Sequence, residues 1–199
     1  MDNYLNTNHW VDAVASLETA QEFCSRVTLD EAYWKWALIA VHSGVQGFMV
    51  LALEHGNALL AMKNDIAARW LKAHNAGAPY PEEKMDFFLN LYEKVKSDAV
   101  CRYVESKKFV PGPSHDYSMK KLNELRNNFI HFLPKVWSVE LVGLPAVCLE
   151  CLEIAHFLGW ESGTILWHDS DLYQRGQRAL AMLRASLREI KEVYTSDEN

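Results

Sequence analysis

The run from Trp36 to Leu53 constrains the fold of this chain more than any other stretch. It is apolar around nearly its whole helical circumference and almost long enough to cross a membrane. It also contains His42, Ser43 and Gln46, and such polar side chains are costly inside a bilayer. We therefore predict that this run is the central, buried helix of a helical bundle rather than a membrane span.

Two pairs of residues in this run stand one helical turn apart. Ser43 and Gly47 are small, so a neighbouring helix can approach closely there. His42 and Gln46 form the second pair. Because buried polar groups need hydrogen-bond partners, we interpret them as a hydrogen-bonded polar pair in the core rather than as a functional pair.

The rest of the chain also has helical patterns of apolar residues, separated by Gly and Pro signals. Gly77 should follow the end of one helix, Pro145 should open another, and Asp169, Ser170 or Asp171 can cap the last. Thr28-Leu29-Asp30-Glu31 has the form of a capping box and should begin the central helix. No pattern of strands is strong enough to build a sheet. The sequence therefore predicts an all-α bundle of six or seven helices, a single domain over residues 1–199. The expected helices cover about residues 9–27, 28–54, 57–74, 82–104, 117–132, 145–158 and 170–194.

Composition limits the class of protein. Of the 199 residues 49% are hydrophobic and 12% aromatic, which excludes a disordered chain. The net charge of −6 argues against a generally basic nucleic-acid-binding protein. The N-terminal residues lack the pattern of a secretory signal, so we expect a cytoplasmic protein with its four cysteines reduced.

The stretch Leu125–Lys135 contains the candidate site. On a helical wheel, Asn127 and His131 project away from the predicted apolar face together with Glu124, and Arg126 lies at the flank. Arg126 and His131 are about 140° apart on a regular helix, too far round for a direct hydrogen bond. A site that uses both needs a distorted helix or two copies of the chain, and we prefer a homodimer. The apolar face consists of Leu122, Leu125, Phe129, Phe132 and Leu133.

Arg126-Asn127-x3-His131, in a helical chain of this size, resembles the HEPN superfamily (higher eukaryote and prokaryote nucleotide-binding domains). The longer block from Arg126 to Glu140 is similar to that of small bacterial members. Many members are endoribonucleases that need no metal ion. The resemblance therefore implies a HEPN-like fold and cleavage of single-stranded RNA in a toxin–antitoxin or defence setting.

The resemblance also implies a role for each residue of the motif. His131 would move a proton to or from the ribose and the leaving oxygen. Arg126 would hold the phosphate and stabilise the charge that develops on it, and Asn127 would orient ribose, phosphate or imidazole. The ribose 2′-OH is the nucleophile, so no metal or cofactor is expected.

Partners follow from the same resemblance. An antitoxin or a nucleotidyltransferase partner is a candidate regulator. HEPN toxins that are silenced by a nucleotidyltransferase often have a Tyr two residues after the His. Residue 133 is Leu in this chain, so control by modification at that position is not expected.

A basic stretch surrounds the motif. Between Lys107 and Lys135 six cationic residues stand against two acidic ones, a local charge of +4 in an acidic chain. Such a stretch can attract a phosphate backbone, and Lys120, Lys121 and Lys135 are the candidate RNA-binding residues. A solvated charged face is the alternative for each lysine taken alone.

Three other patterns compete with this site. Arg69 and His74 have the same spacing as Arg126 and His131, but Trp follows that Arg, and we interpret the match as coincidence. Glu153-x-x-His156 is half of a di-iron motif without a second copy. Cys148-x-x-Cys151 lies within an apolar stretch and is expected to be core.

Two further classes of function remain open. The chain can be a HEPN-like dimer that binds nucleotide, RNA or a protein partner without cutting, because a fold does not determine activity. It can also be a purely structural helical subunit, in which Arg126 and His131 would be freely replaceable.

Overall fold

A computed structural model describes residues 4–54, 56–131, 134 and 136–196. Those residues form seven α-helices and no strand, so the chain is all-α as predicted. Short 3-10 and π-helical turns follow α4 and α6, at Asp98–Val100 and Phe157–Glu161. The helices are α1 (His9–Cys24), α2 (Tyr33–Leu53), α3 (Asn64–Ala76), α4 (Phe88–Val95), α5 (His115–Ile130), α6 (Leu144–His156) and α7 (Ser170–Ser196).

Helix α2 is the centre of the bundle, and α1, α4, α5 and α6 pack around it. It is the one helix in the described ranges that is long and apolar enough to span a membrane, and 67% of that apolar window is buried by the rest of the protein. Helix α2 is therefore a largely buried helix of the bundle.

Close approach of α1 to α2 depends on glycine, which confirms the prediction for Gly47 and adds Gly44. A Cβ atom built on Gly47 would lie 2.8 Å from the Cβ of Ala13, and one on Gly44 would lie 3.0 Å from Leu17 Cδ2. Ser43, the other residue of the predicted pair, is exposed, and its hydroxyl donates to the carbonyl of Ile39 one turn earlier in α2. A side chain at Gly47 would therefore push the two helices apart.

The predicted capping box at Thr28 is wrong. Helix α2 begins at Tyr33 and has no side-chain cap, and residues 28–32 form turns. The carboxylate of Asp30 accepts from the N–H of Ala32, and the N–H of Tyr33 donates to the carbonyl of Asp30. These local bonds satisfy the polar groups that a capping box would otherwise use.

The predicted helices over 57–74 and 82–104 are also too long. The backbones of residues 61–63 and 84–86 pair with each other, through Lys63 N–H to Lys84 O at 3.1 Å and Asp86 N–H to Ala61 O at 2.9 Å. Asp86 then pairs with Lys94 on α4 at 2.7 Å. Bonds between these distant segments replace helical bonds, so α3 starts at Asn64 and α4 at Phe88.

Helix ends elsewhere follow the predicted signals. Gly77, with φ of +60°, ends α3, and Pro145 stands in the first turn of α6. The carboxylate of Asp169 accepts from the N–H groups of Asp171 and Leu172 and so caps α7. Helix α5 begins and ends within two residues of its predicted limits.

Candidate functional site

Helix α5 presents one face to the core and another to a pocket beside α2. Leu122 and Leu125 are buried in the core, and Phe129 packs against it. Arg126 and Asn127, the first two residues of the candidate motif, are half-buried and line the pocket. Helix α5 therefore holds the guanidinium and the amide side by side next to α2.

The Arg126 pocket lies between α2, α5 and the start of α4, and its volume is about 450 Å³. This is within the range of roughly 300–1,000 Å³ that is typical of small-molecule sites. Polar side chains predominate on its walls. The lining residues are His42, Gln46, Asp86, Phe87, Phe88, Leu89, Asn90, Asn123, Arg126 and Asn127.

Arg126 has no carboxylate partner among the described residues. Its Nη1 donates to Oδ1 of Asn127 at 2.9 Å, which leaves most of its N–H groups unused. An arginine in a partly closed pocket usually faces an acidic group. The positive charge of Arg126 is therefore available to an anionic ligand.

Asp86, the acidic residue of the pocket, is already neutralised. Its side chain is 5% exposed and pairs with Lys94 at 2.7 Å. Oδ1 accepts from the side chain of Asn90 and from the N–H of Phe87. Burial raises the pKa of Asp86, but the bonds from Lys94, Asn90 and Phe87 outweigh it and hold the pKa below its usual value.

His42 forms part of the pocket wall on α2. It is 2% exposed, and its ring stacks on Phe88 with a centroid separation of 3.9 Å. Nε2 lies 3.3 Å from Oδ1 of Asn123, and an amide oxygen only accepts, so this contact requires a proton on Nε2. Burial lowers the pKa of His42 to about 4, assisted by the charge of Arg126 and opposed by Asn123. The imidazole is therefore neutral at physiological pH.

His131 is separated from the pocket. It caps the C-terminus of α5, its N–H donates to the carbonyl of Asn127 at 3.0 Å, and its side chain is exposed. The residues that line the Arg126 pocket do not include it. Within one chain, Arg126 and Asn127 thus lie together and His131 points to solvent at the end of the same helix.

Two of the predicted RNA-binding lysines, Lys120 and Lys121, do not line the Arg126 pocket either. Lys120 is exposed, and Lys121 is 3.9 Å from Glu124 on a groove between α5 and α6. Lys135 lies outside the described residues, as does Leu133, the position where HEPN toxins often have a Tyr. Lys108, in the same basic stretch, pairs with Asp98 at 2.7 Å.

The second match to the motif spacing serves a packing role. His74 donates to or accepts from the hydroxyl of Tyr80 at 3.0 Å. The ring of Trp70 stacks on Tyr80 with centroids 4.5 Å apart and on His74 with centroids 5.4 Å apart. These contacts attach the loop after α3 to that helix, and Arg69 is exposed beside them.

The other sequence patterns do not combine into a metal centre in the described ranges. No three His, Cys, Asp or Glu side chains there are placed to hold a metal ion. Glu153 pairs with His115 at 3.0 Å and His156 with Glu161 at 3.1 Å, so the two residues of the half-motif have separate partners.

The two cysteines of the Cys-x-x-Cys pattern are core residues, as predicted. Both are fully buried on α6. Burial raises the pKa of each thiol well above its ordinary value. Both are therefore protonated and unreactive at physiological pH.

Four pocket residues were missed or misread in the sequence: His42, Gln46, Asn90 and Asn123. His42 bonds to Asn123 on α5 and not to Gln46, so the expected polar pair does not form. The sequence signal that pointed to this pocket was the pair His42 and Gln46, two polar residues one turn apart on an otherwise apolar helix. Asn123 stands one turn before Arg126 and Asn127 on α5.

Comparison with known proteins adds no relative. No protein-family model matches the chain, and no curated protein or solved structure matches it.

Proposed function

We propose that this protein is a HEPN-like endoribonuclease that cleaves single-stranded RNA without a metal ion, in the cytoplasm and in a toxin–antitoxin or defence setting. The observation that carries the proposal is Arg126, a guanidinium that lines a polar pocket and has no acidic partner in the described part of the chain. Such a group suits the binding of a phosphate.

The proposed reaction assigns one task to each residue of the motif. The ribose 2′-oxygen attacks the adjacent phosphorus and gives up its proton to a general base. The P–O5′ bond breaks, the departing oxygen receives a proton, and a 2′,3′-cyclic phosphate remains. His131 transfers protons, Arg126 binds the phosphate and stabilises its developing charge, and Asn127 orients ribose, phosphate or imidazole.

A homodimer is part of the proposal, because His131 and Arg126 do not share a pocket within one chain. The exposed position of His131 at the end of α5 allows it to approach the Arg126 of a second copy. A two-fold interface would then form two equivalent sites. Sedimentation velocity measures whether the chain forms a dimer, and a monomer at all concentrations would exclude the two-copy site.

A HEPN-like module that binds RNA or nucleotide without cutting is the second candidate. One observation favours it: the histidine beside Arg126 is His42, which is neutral, and its Nε2 is occupied by Asn123. An imidazole with a pKa of about 4 is almost entirely neutral at pH 7, so it cannot serve as a general acid and is a weak general base. The pocket by itself therefore has the features of a binding site.

Cleavage of a mixed single-stranded RNA pool in EDTA distinguishes the two candidates. We expect the wild type to cut and to leave 2′,3′-cyclic phosphate ends, and Arg126→Ala and His131→Ala to be inactive. Arg69→Ala and His74→Ala have the same motif spacing on α3 and are the matched controls. Equal cutting by all variants would refute the catalytic site, and an inert wild type would support the binding module.

Overproduction in bacteria gives an independent result. An active toxin slows growth, and the growth defect should disappear with Arg126→Ala. A binding module should leave growth unchanged for both proteins. An antitoxin or nucleotidyltransferase partner is a proposal of the same kind, to be tested by relief of the growth defect when that protein is produced together with the toxin.

A further inference from the structure

The Arg126 pocket has more free hydrogen-bond donors than free acceptors. The bonds to Asn123 and Asn127 use their Oδ1 atoms, which leaves both Nδ2 groups without a partner in the described part of the chain. The side chain of Gln46 has no hydrogen bond there either. With the guanidinium of Arg126, four side chains on two helices thus offer donors to one space.

The acidic group of the pocket does not compete for those donors. Both oxygens of Asp86 are occupied, one by Lys94 and the other by Asn90 and the N–H of Phe87. A donor-rich pocket with one uncompensated positive charge is complementary to an anion that has several acceptor oxygens. A phosphate group has both properties.

An aromatic ring stands at the mouth of the same pocket. Phe87 is 65% exposed, although its neighbours Asp86 and Phe88 are buried. Nζ of Lys63 lies 4.0 Å from the centre of the ring, so a cation covers part of it. Exposed aromatic rings beside positive charges are the usual stacking surfaces for unpaired bases.

We propose that the Arg126 pocket binds a single unstacked ribonucleotide, with its phosphate against Arg126 and its base against Phe87. The volume of about 450 Å³ is sufficient for a ligand of this class. Gln46, Asn123 and Asn127 are then the side chains that contact ribose and base edges. This inference rests on the proposed action on RNA. It identifies the part of the RNA site, one nucleotide in size, that a single chain forms without a partner.

The subsite does not need His131, and this separates it from the cleavage step. His131 is outside the residues that line the pocket. His131→Ala should therefore lose cleavage but retain affinity for a nucleotide. A nucleoside monophosphate has no phosphodiester bond to cut, so its binding is measured without turnover.

Calorimetric titration with adenosine 5′-monophosphate, inorganic phosphate and adenosine tests the inference. We expect the monophosphate to bind more tightly than either of its parts. Arg126→Gln should weaken binding of monophosphate and of phosphate by about tenfold or more, through loss of charge-assisted hydrogen bonds. Phe87→Ala should weaken binding of the monophosphate by roughly 5- to 150-fold and leave binding of phosphate unchanged.

Two control variants match these substitutions. Tyr117 is 64% exposed and lies outside the pocket, so Tyr117→Ala controls for loss of an exposed ring. Arg102 is exposed and also outside the pocket, so Arg102→Gln controls for loss of a positive charge. Both should bind the monophosphate like the wild type.

Each result supports or overturns the subsite. Equal affinity for monophosphate and phosphate would show an anion site only, and the nucleotide assignment would fail. Monophosphate binding that is unaffected by Arg126→Gln and Phe87→Ala would place the ligand elsewhere. Cleavage without monophosphate binding would refute the subsite but not the nuclease. Monophosphate binding that depends on Arg126 and Phe87, without any cleavage, would refute the nuclease but not the subsite.

Discussion

His42 should make the folded protein sensitive to mild acid. Its pKa is about 4 in the folded state because the ring is buried, whereas an imidazole in an unfolded chain has a pKa of about 6.5. Between these two values the unfolded chain binds more protons than the folded protein. The free energy of unfolding therefore falls as the pH is lowered from about 6.5 towards 4.

The size of this effect follows from the two pKa values. The loss attributable to His42 is about 2 kcal/mol at pH 5 and about 3 kcal/mol at pH 4, relative to neutral pH. A typical domain has a free energy of unfolding of roughly 5–15 kcal/mol, so this loss is measurable. The pKa of Asp86 is lowered in the folded state, so its contribution to the free energy of unfolding is lost only below about pH 3.9, the pKa of an aspartate in an unfolded chain.

Urea unfolding of the wild type and His42→Gln at pH 7 and pH 5 measures this loss. Glutamine keeps a polar side chain beside Asn123 but does not titrate. The wild type should lose about 2 kcal/mol more than the variant between the two pH values. His168→Gln, which replaces an exposed histidine, should retain the wild-type difference. Equal losses in the wild type and His42→Gln would refute the assignment of the acid sensitivity to His42.

Two further substitutions test how the bundle is held together. Gly47→Ala should destabilise the protein by about 1–3 kcal/mol in thermal unfolding, because the new Cβ would lie 2.8 Å from the Cβ of Ala13. Adding Ala13→Gly to the same chain should restore most of the lost stability. Lys94→Met should lower the free energy of unfolding in urea by about 3–5 kcal/mol, because it leaves the buried carboxylate of Asp86 without its cation. Adding Asp86→Asn should recover part of that loss. No recovery in either double variant would contradict the pairwise contact.

Prediction from the sequence succeeded at several places where local chemistry decides the structure, although the capping box at Thr28 does not form. The apolar run Trp36–Leu53 predicted the central helix, and Gly77 and Pro145 predicted helix ends that the structure contains. Asp169, one of three candidate caps, is the residue that caps α7. Prediction failed between residues 57 and 104, where backbone bonds join two distant segments and the pair Asp86 and Lys94 secures them. Helical propensity is weak compared with such tertiary bonds.

For the candidate site, the spacing on α5 placed Arg126 and His131 on different sides of one helix, and the structure has them apart. The same spacing contained no information about α2, which supplies His42 and Gln46 to the pocket. Residues 81 positions apart, such as His42 and Asn123, come into contact only through packing.

The amino-acid sequence alone determined that the chain is helical, which run is its core and which helix carries an arginine, an amide and a histidine. These properties depend on periodicity and on residues within a few positions of each other. Tertiary structure decided that Arg126 and His42 line the same pocket and that Asp86 is neutralised by Lys94. The charge and protonation of a pocket depend on burial and on groups from several helices, and these are set only when the helices pack.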